Sequence, residues 1–161
     1  WYDAAGNLAA RIIVALRDDD TSQWVNVKQY YANADANSFQ VVEENLRYLK
    51  LMSPVKKDME WMGNQFINTT GTLSYLSGWT YKYTSVDEQE TFNGNSVDSV
   101  ATVTQLDEQN AIQKNYSAEK FAKGLGLVYK EQQFLSCNSF CADWTHPESG
   151  TIVRKSMLAH N

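Results

Sequence analysis

The chain alternates apolar and polar residues in short runs that are separated by polar turns. Apolar residues at every second position are typical of a half-solvated β-strand, whereas a spacing of three or four is typical of an amphipathic helix. The stretch Tyr116–Leu135 contains two such strands, which meet at Gly124 and Gly126. Glycine adopts backbone angles that are closed to other residues, so this stretch predicts a hairpin with a sharp bend or bulge.

The N-terminal part follows the same pattern. Leu8–Arg17 alternates around an Ile-Ile-Val centre, and β-branched residues favour a strand over a helix. Asp18–Ser22 is a polar turn, Gln23–Tyr31 is a second predicted strand, and Ala32–Asn37 is a predicted loop.

The segment Ser38–Met52 fits two structures. Its apolar residues Phe39, Val42, Leu46 and Leu49 stand at helical spacing. A hairpin that turns at Glu44-Asn45 fits as well, because Arg47–Leu51 alternates and Pro54 follows a short extended stretch. We favour the hairpin, and the helix remains the alternative.

The next segments contain fewer apolar alternations. Pro54–Asn64 is predicted to be a loop that carries an aromatic anchor, Trp61, and ends in a Gly63-Asn64 turn. Thr69–Gly78 is rich in Gly, Ser and Thr and is predicted to be irregular.

A long hairpin is predicted in the second half of the chain. Its arms are Trp79–Phe92 and Val97–Leu106, and residues 93–95, Asn-Gly-Asn, tolerate the positive φ of a hairpin turn. Both arms exceed the usual strand length of about five or six residues, and long antiparallel arms twist and curl.

The remaining segments complete the predicted fold. Asp107–Asn115 and Ser136–Ser149 are polar connections, and Thr151–Leu158 is a last strand. The fold class is therefore mainly β with little helix, as a single curved antiparallel sheet of the half-barrel or lipoprotein-carrier-like kind. Without linkers or internal repeats, we expect one β-rich domain over residues 1–161.

Composition narrows the function classes. The chain has 161 residues, of which 43% are hydrophobic, so it has enough apolar residues for one core. Its net charge is -5, and no basic cluster is present, which excludes the electrostatic footprint of nucleic-acid binding. No apolar run reaches the roughly 18–20 residues that span a bilayer.

The two cysteines, Cys137 and Cys141, enclose only Asn-Ser-Phe. In an oxidising compartment they are candidates for a local disulfide. The alternatives are reduced thiols or a metal site with His146, although that spacing matches no common zinc module. The three aspartates Asp18–Asp20 raise the hypothesis of a calcium site. However, three adjacent carboxylates without alternating spacing are more typical of a solvated turn.

Aromatic residues provide the strongest hint of a binding site. Trp79, Tyr81 and Tyr83 stand at alternate positions, and therefore on one face of a strand. Such a stripe either packs into the core or forms a ligand-binding platform in a concave sheet for a lipid, a sugar or a peptide.

No catalytic constellation is recognisable. The only imidazole bases are His146 and His160, and the chain has neither a G-x-S-x-G motif nor a P-loop. A thiol nucleophile at either cysteine with His146 is the remaining alternative. No feature singles out a pair of carboxylates for sugar hydrolysis among Glu88, Glu90, Glu108 and Glu131.

Three segments carry a family resemblance: residues 47–64, RYLKLMSPVKKDMEWMGN, residues 116–131, YSAEKFAKGLGLVYKE, and the end of the chain at His160-Asn161. They resemble a group of uncharacterised extracytoplasmic lipoproteins of Bacteroidetes. The resemblance implies export, a lipid-anchored N-terminus and a curved β-rich fold. It implies no known activity and supplies no catalytic residues.

We therefore expect an exported envelope lipoprotein domain without catalytic activity or cofactor, located in the periplasm or at the outer membrane. Its expected partner is a lipid or another hydrophobic small molecule bound on a concave sheet face. The first alternative is an interaction or scaffold module that docks another envelope protein by a sheet edge or by the aromatic stripe. A hydrolase of unknown substrate is the third hypothesis.

Overall fold

The computed structural model describes residues 8–141 and 143–158. Strands make up 60% of these residues and helix 4%, which confirms a mainly β fold with little helix. The strands are β1 (Leu8–Leu16), β2 (Val25–Ala34), β3 (Ser38–Glu43), β4 (Leu46–Met52), β5 (Glu60–Trp61), β6 (Tyr81–Phe92), β7 (Asn95–Gln109), β8 (Gln113–Ala122), β9 (Gly126–Ser136) and β10 (Ser149–Ser156).

The strands form two antiparallel sheets, so the prediction of a single sheet is wrong. The first sheet has the order β1-β2-β3-β4, the second has the order β10-β9-β8-β7-β6-β5, and neither is closed. Residues 53–59 separate the last strand of the first sheet from β5. Pro54 in this connection has no N–H to donate to a ladder, which favours an interruption there.

The chain also divides into two compact units. One consists of Trp1–Pro54 with Met62–Gly78, and the other of Val55–Trp61 with Trp79–Asn161. The single domain over residues 1–161 stays a prediction.

In the first unit, the structure resolves the ambiguous segment as a hairpin. Glu44 and Asn45 have φ values of 50° and 65°, and Val42 pairs with Arg47 across the turn. The predicted loop over residues 32–37 is too long, because β2 continues to Ala34. The carboxylate of Asp35 then closes the turn by accepting hydrogen bonds from the backbone N–H groups of residues 37 and 38.

The rest of the first unit packs against β4. Gly71–Leu76 forms a short 3-10 helix, which corrects the prediction of an irregular segment. The side chain of Asn64 donates to the carbonyl of Leu76 at 2.9 Å, and the N–H of Leu49 donates to the carbonyl of Gly63 at 2.8 Å. These bonds hold residues 62–78 beside the first sheet.

In the second unit, both predicted hairpins are confirmed. Asn93 and Gly94 have φ values of 47° and 85° between β6 and β7, and Gly124 has a φ of 80° between β8 and β9. The polar connection predicted at 107–115 shrinks to residues 110–112, since β7 and β8 remain paired up to Gln109 and Lys114. One core cluster of this unit comprises Phe92, Val97, Val100, Ala122 and Val128.

Candidate functional site

The predicted aromatic stripe lies in the core. Trp79, Tyr81 and Tyr83 are 5%, 1% and 0% exposed. The ring of Trp61 packs against Tyr81 and Tyr83, with centroids 5.9 and 4.7 Å apart. The structure therefore favours packing of the stripe into the core over a ligand-binding platform. None of the three rings offers a face to a ligand.

The segment that carries Trp61 is tied to β6 by its backbone. The N–H of Asp58 donates to the carbonyl of Tyr83, and the N–H of Tyr83 donates to the carbonyl of Met59. Lys82 lies 3.1 Å from the carboxylate of Asp58 and 3.4 Å from that of Glu60. Trp61 therefore lies in the short strand β5 and not in the predicted loop.

The two cysteines are bonded to each other. Cys137 and Cys141 form a disulfide with their Cα atoms 6.0 Å apart. Their backbone N–H groups donate to the carbonyls of Ile112 and Ala111, so the closed loop is fastened to the β7–β8 turn. With both sulfurs engaged in this bond, neither serves as a thiol nucleophile or a metal ligand.

His146 is exposed and belongs to a local turn. Its Nδ1 lies 2.8 Å from the hydroxyl of Thr145, which also contacts the carboxylate of Asp143. Hydrogen bonds from Thr145 lower the pKa of Asp143. This arrangement is typical of a polar turn, and the second predicted base, His160, lies outside the described residues.

The residues 8–141 and 143–158 contain no group of three His, Cys, Asp or Glu that could hold a metal ion. The carboxylate of Asp19 instead accepts hydrogen bonds from Thr21 and Ser22. These bonds lower the pKa of Asp19 to about 2, and they account for the aspartate-rich turn.

A buried polar chain runs across β7, β8 and β9. The hydroxyl of Ser117 donates to Oε1 of Gln105 at 2.7 Å, and Nε2 of Gln105 donates to Glu119 at 2.9 Å. Lys130 lies 3.1 Å from the other oxygen of Glu119, which is 1% exposed. The sequence does not reveal this group, because nothing in the strand pattern distinguishes its members from solvated polar residues.

A cleft lies on one face of the first sheet. Its volume is about 320 Å³, and it is lined by Ala9, Tyr31, Ala32, Asn33, Gln40, Val42 and Arg47. Directly paired residues of antiparallel strands project to the same face. The pairs Ala9–Asn33 and Asn33–Gln40 therefore place β1, β2 and β3 side by side in its floor.

Arg47 borders this cleft and is held in place on two sides. Its Nε donates to Oε1 of Gln40 at 2.7 Å, and its guanidinium lies 4.6 Å from the centroid of the Phe66 ring. The sequence pattern predicts a hairpin around Arg47 but does not single out this residue. The signal that could have identified Arg47 is its pairing with Val42 in the predicted hairpin, because this pairing puts an arginine beside an apolar residue.

Apolar and polar groups therefore meet in the cleft. Ala9, Val42 and Tyr31 give the cleft apolar surface, while Asn33, Gln40 and Arg47 carry polar groups. Ligand sites commonly combine a concave apolar surface with a few placed polar groups.

In the described part of the chain, no helix is long and apolar enough to cross a membrane. The family resemblance inferred from residues 47–64 and 116–131 stays a prediction. No family model, no curated protein and no solved structure matches this chain.

Proposed function

We propose that this chain is a non-enzymatic binding domain of the bacterial cell envelope that takes a small hydrophobic or lipidic molecule. The site is the cleft on the first sheet, and this cleft is the observation that carries the proposal. The location differs from the expected one, because the aromatic stripe of Trp79, Tyr81 and Tyr83 is buried.

The apolar part of the cleft suits a small apolar molecule. Its volume of about 320 Å³ falls within the range of small-molecule sites. Burial of apolar ligand surface contributes roughly 25 cal/mol per Å², so an alkyl chain laid over Ala9 and Val42 gains affinity in proportion to its contact area.

The disulfide supports the envelope location. Bonds of this kind persist in the periplasm and at cell surfaces and are rare in the reducing cytosol. The pair Cys137–Cys141 is therefore compatible with export. A periplasmic or outer-membrane-anchored protein is the location that we propose.

The proposal is tested by filling the cleft. Val42→Trp places an indole among the lining residues and should abolish binding of a neutral fluorescent probe, N-phenyl-1-naphthylamine. The matched control is Ile152→Trp, an exposed β-branched position on β10 of the other unit. A wild-type protein that does not bind the probe, or a Val42→Trp variant that binds it normally, would contradict the proposal.

The hairpin formed by β1 and β2 favours a second function, the docking of another envelope protein. Leu16, Trp24 and Val25 are 60%, 63% and 61% exposed near its turn. β1 is also an edge strand of its sheet. Exposed apolar clusters and unpaired strand edges are common features of interaction sites.

This second function predicts that the hairpin is needed to retain a partner. The double variant Leu16→Ser/Val25→Ser should lose any envelope protein that co-purifies with the wild type. Val55→Ser, at an apolar position that is 50% exposed in the other unit, should keep that protein. Equal recovery with both variants would remove the hairpin as the docking element.

A further inference from the structure

One row of side chains crosses the whole first sheet. Arg11 pairs with Tyr31, Tyr31 pairs with Val42, and Val42 pairs with Arg47. Directly paired residues share a face, so an arginine stands at each end of a row whose centre is a tyrosine and a valine. Both central residues line the cleft.

This face carries no acidic residue on its strands. The neighbouring row consists of Ala9, Asn33, Gln40 and Leu49. The chain as a whole has nineteen acids against fourteen bases, with a net charge of -5. A row with two arginines and no carboxylate is therefore a local reversal of the overall charge, and it attracts anions.

Arg47 has no salt-bridge partner among residues 8–141 and 143–158, unlike Arg17 and Arg154, which contact Asp20 and Glu131. Its Nε is engaged by Gln40, and one face of the guanidinium is covered by Phe66. The Nη1 and Nη2 edge remains, and this edge can donate two parallel hydrogen bonds to one carboxylate.

Tyr31 offers a further donor. Nε2 of Gln29 donates to its hydroxyl oxygen, so the hydroxyl proton can point to another acceptor. Tyr31 lines the same cleft as Arg47. A carboxylate at the arginine and an apolar body over Val42 and Ala9 would use both parts of the cleft.

We propose that the ligand of this cleft is an amphipathic carboxylic acid, bound as the carboxylate by Arg47, with its apolar body in the cleft. This assignment rests on the proposed binding function and names its ligand class. A charge-assisted, partly exposed pair contributes about tenfold in affinity over a neutral head group of the same size.

The test compares decanoate with decanol, which share a chain length and differ in the charged head group. Both are titrated against bound N-phenyl-1-naphthylamine at pH 8, where the carboxylic acid is ionised. Wild-type protein should bind decanoate about tenfold more tightly than decanol. Arg47→Gln should remove that preference, so that decanoate and decanol bind with similar affinity.

Controls separate this inference from the proposed function. Arg154→Gln removes the same charge from the second unit and should leave the preference intact. If Arg47→Gln fails to fold, the wild-type preference for decanoate should still weaken as salt is raised from 50 to 500 mM, as expected for ionic binding. Equal binding of decanol and decanoate by wild-type protein would overturn the carboxylate assignment alone. The absence of binding by both compounds and by the probe would overturn the binding function as well.

Discussion

Nζ of Lys130 lies 3.1 Å from Oε1 of Glu119, and the glutamate is almost completely buried between its neighbours in the sheet. The other carboxylate oxygen accepts a hydrogen bond from Gln105. Removal of one member of a buried ion pair leaves an uncompensated charge, which costs more than the pair itself contributes.

We therefore expect Lys130→Met to lower the free energy of unfolding by about 3 kcal/mol. The double variant Glu119→Leu/Lys130→Met should recover part of that loss, because both charges are gone. Urea denaturation of the single and double variants measures both effects. A double variant that is less stable than Lys130→Met would show that the carboxylate has a structural role beyond its pairing with Lys130.

Gly150 has no space for a side chain. Its φ is 135°, and a Cβ atom added there would lie 2.1 Å from the carbonyl oxygen of Phe134. Gly150→Ala should therefore lower stability by about 3 kcal/mol, through strain and displacement of β9. Gly124→Ala is the control, since Gly124 has open space around it and loses only about 1 kcal/mol from its positive φ. Equal losses in thermal denaturation would contradict this difference.

The lowered pKa of Glu131 should make the stability of the fold depend on pH. Burial raises its pKa, but hydrogen bonds from Gln133, Arg154 and Tyr129 together lower the pKa below the ordinary value of 4.5. A carboxyl whose folded pKa is depressed stabilises the fold above its unfolded pKa, and this contribution is lost as the pH falls through the folded pKa.

Denaturation by urea at pH 6, 4.5, 3.5 and 2.5 should show this loss beginning near pH 4.5. The variant Glu131→Gln should be less stable than the wild type at pH 6, and the difference should shrink in acid. The control is Glu108→Gln on an exposed part of β7. A difference between wild type and Glu131→Gln that is constant with pH would contradict the depressed pKa.

The disulfide should protect Cys137 and Cys141 from alkylation. Mass spectrometry of denatured protein should find no alkylation until a reductant is added, because Cys137 and Cys141 are bonded. Serine at both positions should cost about 2 kcal/mol of stability, as expected for a loop this short. Two thiols that react without reduction would remove the support for export.

Much of the secondary structure was predictable because it depends on neighbours in sequence. Alternation around Ile12 and Ile13 predicted β1, and residues that tolerate positive φ predicted the turns at Glu44-Asn45 and at residues 93–95. The loop lengths were less predictable. Polar residues at 107–109 and 113–115 continue the strands, because one side of an antiparallel pair can remain in water.

Local sequence features specify the β class, most strand positions, the main hairpins and the proximity of Cys137 to Cys141, since alternation, turn chemistry and short loops act between near neighbours. The division into two sheets, the burial of Tyr81 and Tyr83, and the row that ends at Arg47 emerge only in the folded chain. These features depend on which distant strands pair and in which register. A shift of one residue moves every side chain of a strand to the opposite face, and no local pattern specifies that choice.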